Sequence, residues 1–154
     1  FVLAAEHPEL RAVVVFAPYL QVSKSVRVME AVAPVVAIAV PYVWGGGERS
    51  VHDPVAARRM IAYGLSTPRL LAQLERVVRM AHAALPRVTQ PVLYFQSRED
   101  NRIPVERAAE AFARLASVDK TLHWTTGSGH VLTVDFGHAE LEHLAADWLE
   151  SRLA

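Results

Sequence analysis

Two short stretches hold the side chains best suited to moving protons. One is the polar run Arg98-Glu99-Asp100-Asn101-Arg102, and the other is Gly127-Ser128-Gly129-His130. An imidazole changes charge near neutral pH. A carboxylate that accepts its Nδ1–H fixes the tautomer and stabilises the imidazolium. Taken alone, His130 reads as a surface-loop histidine, and Glu99 and Asp100 read as a solvated loop or a helix cap. Placement makes the pair more specific than either residue. Each loop follows a run that reads as a strand, so one strand end offers an Asp and the next a His.

The elements that must hold them are legible as an alternation. Arg11–Ala17, "RAVVVFA", is a continuous β-branched run, as expected of a strand buried on both faces of a parallel sheet. Pro91–Ser97, "PVLYFQS", reads as a second buried strand, and Lys120–Thr126, "KTLHWTT", as a shorter third. Phe1–Glu6 reads as helix closed by His7-Pro8. Leu70, Leu74, Val77, Val78, Ala81 and Leu85 fall at helical spacing, with Pro68 suited to the first turn. Val105, Ala108, Ala109, Phe112 and Leu115 form another helical face. Leu141, Leu144, Ala145, Trp148 and Leu149 mark a final helix. Lys24–Tyr63 is apolar, irregular and rich in Pro and Gly, with room for one or two short helices. This order predicts an α/β fold with a parallel sheet covered on both faces. In such sheets sites lie outside the carboxyl ends of the strands, where both polar loops fall.

Composition narrows the classes. The chain has 154 residues, of which 52% are hydrophobic, enough for one domain with a substantial core. Lys plus Arg equals Asp plus Glu at 16 each, which argues against a general nucleic-acid binder. There is no cysteine, which excludes a disulfide framework and a thiol nucleophile. The longest charge-free run, Ala31–Gly47, is interrupted by Pro34, Pro41 and three glycines, so no stable membrane insertion is expected. The compartment is read as the cytoplasm, and the oligomeric state is left open.

If His130 is a base, it needs a nucleophile. α/β-hydrolases order the triad as Ser, then Asp or Glu, then His, with the Ser in a G-x-S-x-G elbow. The nearest match upstream of Asp100 is Gly64-Leu65-Ser66-Thr67-Pro68, which has Pro in place of the second Gly and no convincing strand before it. Ser66 reads better as a helix-start residue. Ser128 abuts His130 and does not begin a helix.

Here the chain resembles the second half of an α/β-hydrolase, near the bacterial carboxylesterase and monoacylglycerol-lipase-like branch with S33-type aminopeptidases. "LAAEHPELRAVVVFAP" resembles the segment just after the nucleophile elbow. "PVLYFQSREDNRIP" resembles the strand and loop bearing the acid, with Asp100 at its position. "GSGHVLTVD" resembles the histidine loop, with His130 at its position. The resemblance implies one partial α/β-hydrolase domain over residues 1–154, with a helical cap inserted at about 18–68. It implies catalytic Asp100 and His130, a nucleophilic serine upstream of Phe1, and a small apolar ester as substrate. It implies no metal or organic cofactor. An isolated fragment of this kind is expected to be inactive. It is also expected to be marginally stable or self-associating, because the strand Arg11–Ala17 would have an open edge.

Several residues invite a second reading. Met29, Val32, Val35, Val36, Ile38, Val40, Tyr42, Val43 and Trp44 make the insert apolar, as an acyl-chain pocket or as packing onto the core, and Gly45-Gly46-Gly47 would let it move. His138 and His143 are five apart and do not share a helical face, so they do not form a metal pair. His7, His52, His82 and His123 have no arguable partner. Trp124 and Trp148 read as core. The competing functions are another activity on the same scaffold (peptidase, thioesterase or acyltransferase) and a non-catalytic α/β binding domain.

Overall fold

The structure is a computed structural model, and it describes residues 1–44, 50–61 and 64–153. Three parallel strands form the main sheet in the order β1 (Val13–Phe16), β4 (Val92–Ser97), β5 (Lys120–Thr125). β1 registers Val13 against Val92, and β5 registers Lys120 against Val92 from the other side. Helix α1 (Val2–Glu6) precedes β1, α4 (Pro68–Ala84) leads towards β4, α5 (Val105–Ala113) joins β4 to β5, and α6 (His138–Leu153) follows β5.

The sheet is covered on both faces, as alternation of side chains along a strand requires. Val92 and Tyr94 point to one face, where they meet Ala4 of α1, Ala81 of α4, and Ala108 and Ala111 of α5. Leu93 and Phe95 point to the other, where they meet Leu141 and Ala145 of α6. β4 is buried along its whole length because it has a strand on each side and helices above and below. β1 is only half-buried, which corrects the expectation of a strand buried on both faces. It is the same kind of apolar run, but it lies at an edge, paired with β4 alone among the described strands.

The region between β1 and α4 is more regular than its sequence implies. It contains α2 (Lys24–Ala39), a two-stranded antiparallel ribbon of β2 (Val43–Trp44) and β3 (Leu65–Ser66), and α3 (Pro54–Arg59). The expectation of short helices fails for α2, which runs 16 residues with Pro34 inside it. Proline removes one helical hydrogen bond and disfavours a helix interior by roughly 3 kcal/mol. Tertiary contacts with α4 override it. Ala33 is buried, Glu30 forms a bidentate pair with Arg79, and Arg27 lies 3.9 Å from the buried Glu75. The Ser23 hydroxyl caps the helix by accepting the Val26 N–H at 3.3 Å. Among the described residues no helix is long and apolar enough to cross a membrane.

The apolar residues of the insert do not pack onto the core as a set. Met29, Val36 and Val43 are half-buried. Val35, Ile38 and Trp44 are 74%, 85% and 76% exposed, and Val32, Val40 and Tyr42 are exposed with them. The glycines Gly45–Gly47 lie outside the described residues. Trp124 and Trp148 pack against the two core clusters, partly buried, each beneath an arginine: Arg98 at 5.0 Å and Arg152 at 4.1 Å from the ring centres.

Candidate active site

Asp100 and His130 meet at the carboxyl ends of β4 and β5. The chain leaves β4 after Ser97 and wraps around its own carboxylate. Asp100 Oδ1 accepts the N–H groups of Arg102 at 2.7 Å and Ile103 at 2.9 Å. This is the local Asx geometry that makes aspartate favourable in a turn. Oδ2 accepts the His130 Nδ1–H at 2.9 Å and the Gln96 Nε2–H at 2.6 Å. The carboxylate has no exposed surface, whereas the imidazole keeps 18% exposure.

Burial pushes the Asp100 carboxyl up, but the hydrogen bond from His130 and the N–H groups of Ile103 and Arg102 outweigh it. The net position is below the ordinary carboxylate range. An ionised carboxylate can only accept, so it holds the imidazole proton on Nδ1. The lone pair is then on Nε2, where no described residue pairs with it. Such an imidazole can take a proton from a hydroxyl and return it. The Tyr19 ring meets it edge-on, with centres 5.6 Å apart. Tyr19 arrives from the third strand end, where buried Ala17 holds φ +40 as the chain leaves β1.

The two loops are fastened to each other. The Ser97 hydroxyl donates to the Ser128 carbonyl at 2.5 Å and accepts the Glu99 N–H at 3.0 Å. The Glu99 carboxylate accepts the Gly127 N–H at 2.8 Å. Gly127 sits at φ +79, a left-handed conformation natural to glycine. Gly129 is needed for a different reason: a Cβ there would lie 2.6 Å from the Ser50 carbonyl oxygen.

Several supporting residues escaped the sequence reading. Gln96 is fully buried, and a polar residue ending an apolar strand is a signal that it must find a partner. Asp135 is fully buried behind the His130 loop, and its signal was a lone acid closing an apolar turn. His52 was read as unpartnered. Its ring lies 3.2 Å from the Gly127 carbonyl and 3.7 Å from the Glu99 carboxylate. His82 contacts the Leu20 carbonyl at 2.7 Å, His7 pairs with Glu9 at 2.8 Å, and His123 meets Phe95 edge-on. His138 Nδ1 lies 3.0 Å from the Asp135 carbonyl oxygen.

The family model described as serine aminopeptidase, S33, matches residues 1–136. The chain belongs to this α/β-hydrolase family. A thermostable monoacylglycerol lipase from Bacillus sp. (strain H-257) is 33% identical over 76 residues, covering 49% of this chain and 30% of that protein. The crystal structure of a monoacylglycerol lipase from Paleococcus ferrophilus superposes with TM-score 0.79 at 24% identity, over 97% of this chain and 62% of that one. A structure from a study of the metagenome-derived lipolytic enzymes LipS and LipT gives TM-score 0.83 at 22% identity, over 97% and 59%. The chain thus spans less than two thirds of the length of these relatives.

Within this S33-family chain the serines weighed from sequence do not join the pair. Ser66 is in the ribbon, registered against Val43. Ser128 is fully buried, with its hydroxyl 3.1 Å from Thr125 Oγ1.

Proposed function

We propose that this chain carries the acid and base of a serine hydrolase acting on carboxylic esters, of the carboxylesterase or monoacylglycerol-lipase kind. The observation that carries the reading is the Asp100–His130 pair at 2.9 Å on a partly exposed ring, with Nε2 unpaired among the described residues. In this reading a serine hydroxyl supplied by a segment outside these 154 residues attacks the ester carbonyl. His130 Nε2 takes its proton and delivers it to the departing alcohol. Asp100 stabilises the imidazolium between the two transfers. Backbone N–H groups near that serine hold the oxyanion. The insert at about 18–68 acts as the cap, and its apolar side chains suit an acyl chain. The 154 residues alone are inactive.

The test joins genetics to assay. The coding region upstream of Phe1 is sequenced, and the protein with that segment is assayed on fatty-acid esters, monoacylglycerols, thioesters and aminoacyl amides. An upstream G-x-S-x-G and ester hydrolysis abolished by His130→Ala are expected. An elbow position without Ser, Cys or Asp, or ester turnover indifferent to His130→Ala, would overturn the reading. Preferential cleavage of the aminoacyl amides would transfer it to a peptidase.

A further inference from the structure

Asp135 is a second buried carboxylate, five residues beyond His130. Among the described residues, neither carboxylate oxygen is spent on a side chain. Oδ2 accepts the N–H of Gly129 at 2.6 Å and of His52 at 2.8 Å. Oδ1 accepts the N–H of Asp53 at 2.8 Å and of Phe136 at 2.9 Å. Two of these donors belong to the His130 turn and its exit, and two to the stretch of the insert just before α3. The same stretch of insert touches the turn twice more. The Ser50 carbonyl accepts the Val131 N–H at 3.0 Å and fills the space beside Gly129. It also reaches the acid loop, where Arg102 Nε donates to Ser50 Oγ at 2.8 Å.

The backbone on both sides of His130 is therefore held: Gly129 N–H by Asp135, six residues on in the same loop, and Val131 N–H by Ser50, distant in sequence. We propose that Asp135 is a positioning residue that locks the His130 turn onto Ser50–Asp53, so that the imidazole registers on Asp100 only while that stretch is seated. A carboxylate suits the task because it offers several acceptor sites and no donor. Four backbone N–H groups converge on it, and a neutral amide would turn donors towards some of them. The inference rests on His130 being the proton carrier.

The experiment reads the imidazole itself, in the folded protein. The probe is the downfield proton resonance of His130 Nδ1–H, which depends on the Asp100 hydrogen bond and needs no nucleophile. Asp135→Asn is expected to broaden this resonance away while far-ultraviolet circular dichroism stays native. If Asp135→Asn fails to fold, Asp135→Ser, which keeps one acceptor, takes its place. Gly129→Ala provides an independent lesion: it displaces Ser50 without altering any hydrogen-bonding side chain, and the same loss is expected. In the protein with its upstream segment, Asp135→Asn is expected to lower kcat by about 10²-fold with KM little changed, as for a misplaced catalytic group. A resonance that survives in both lesions, with only a lower melting temperature, would overturn the proposal and leave Asp135 a purely structural residue. Failure of the ester-hydrolase reading is distinguishable, because wild-type protein would then lack esterase activity while the resonance responded as described.

Discussion

The strand-end site and the α2 face of the insert treat ordinarily misplaced groups in opposite ways. At the strand ends, polar groups are buried: Gln96, Ser97, Ser128 and Asp135 have essentially no exposed surface. Each has at least one hydrogen bond within the described structure, and of their side-chain atoms Gln96 Oε1 alone lacks a partner there. On the insert, large apolar groups are exposed, Ile38 and Trp44 most of all. Buried polar groups must be satisfied or they cost about 1–3 kcal/mol each, so the first region is held tightly in one arrangement. Exposed apolar groups impose no such constraint. The first region is preorganised, and loss of a buried acceptor there is felt by its partners; on the second, the exposed apolar side chains contribute little to the fold.

The sharpest way to break this contrast is at the dyad. In a protein that supplies the proposed serine, His130→Ala is expected to lower kcat about 10³-fold or more with the melting temperature nearly unchanged, and Asp100→Asn to lower both, because its buried carboxylate accepts four hydrogen bonds, measured by steady-state ester hydrolysis and thermal melts. Asp135→Ala comes next. It strands buried backbone donors and is expected to destabilise by about 3 kcal/mol or more, read from the denaturant midpoint. Gly129→Ala, pressing a methyl group on the Ser50 carbonyl, is expected to cost about 1–3 kcal/mol on the same measurement.

Acid sharpens the comparison through both carboxylates. For Asp100 and Asp135 burial acts upward, yet the hydrogen bonds they accept leave each below the ordinary carboxylate range. Asp135 is surrounded by the backbone of His52, Asp53, Gly129 and Phe136, with His138 bonded to its own carbonyl. A group depressed in the folded state contributes its stability above its unfolded value and loses it as pH falls through the folded value. Stability is therefore expected to fall as pH drops below about 4, and Asp135→Asn is expected to flatten that decline in thermal melts taken across the range. The smallest effect belongs to the insert: Ile38→Ser is expected to change stability by no more than about 0.5 kcal/mol. A larger loss would mean that the exposed face is engaged.

The alternation of runs made the core legible. Apolar periodicity located β4, β5, α4, α5 and α6 to within a few residues, and the pairing of a strand-end Asp with a strand-end His was visible from order alone. Those signals are local, because a period of 2 or 3.6 residues is written in neighbouring side chains. α2 was obscured because Pro34 is a local breaker signal, and its packing against α4 came from residues more than 40 positions away in the sequence. β1 and β4 look alike as runs, and only the strand order makes one an edge and the other a centre. His52 was silent for the same reason, and the lone acid Asp135 gave no hint of which donors would meet it. By itself, the sequence determined which residue types stand at the strand ends, and hence that an acid and a base are available there. Only the tertiary structure decided that Ser50–Asp53 returns to brace them, because a buried carboxylate reveals its role only once distant backbone donors have been brought to it.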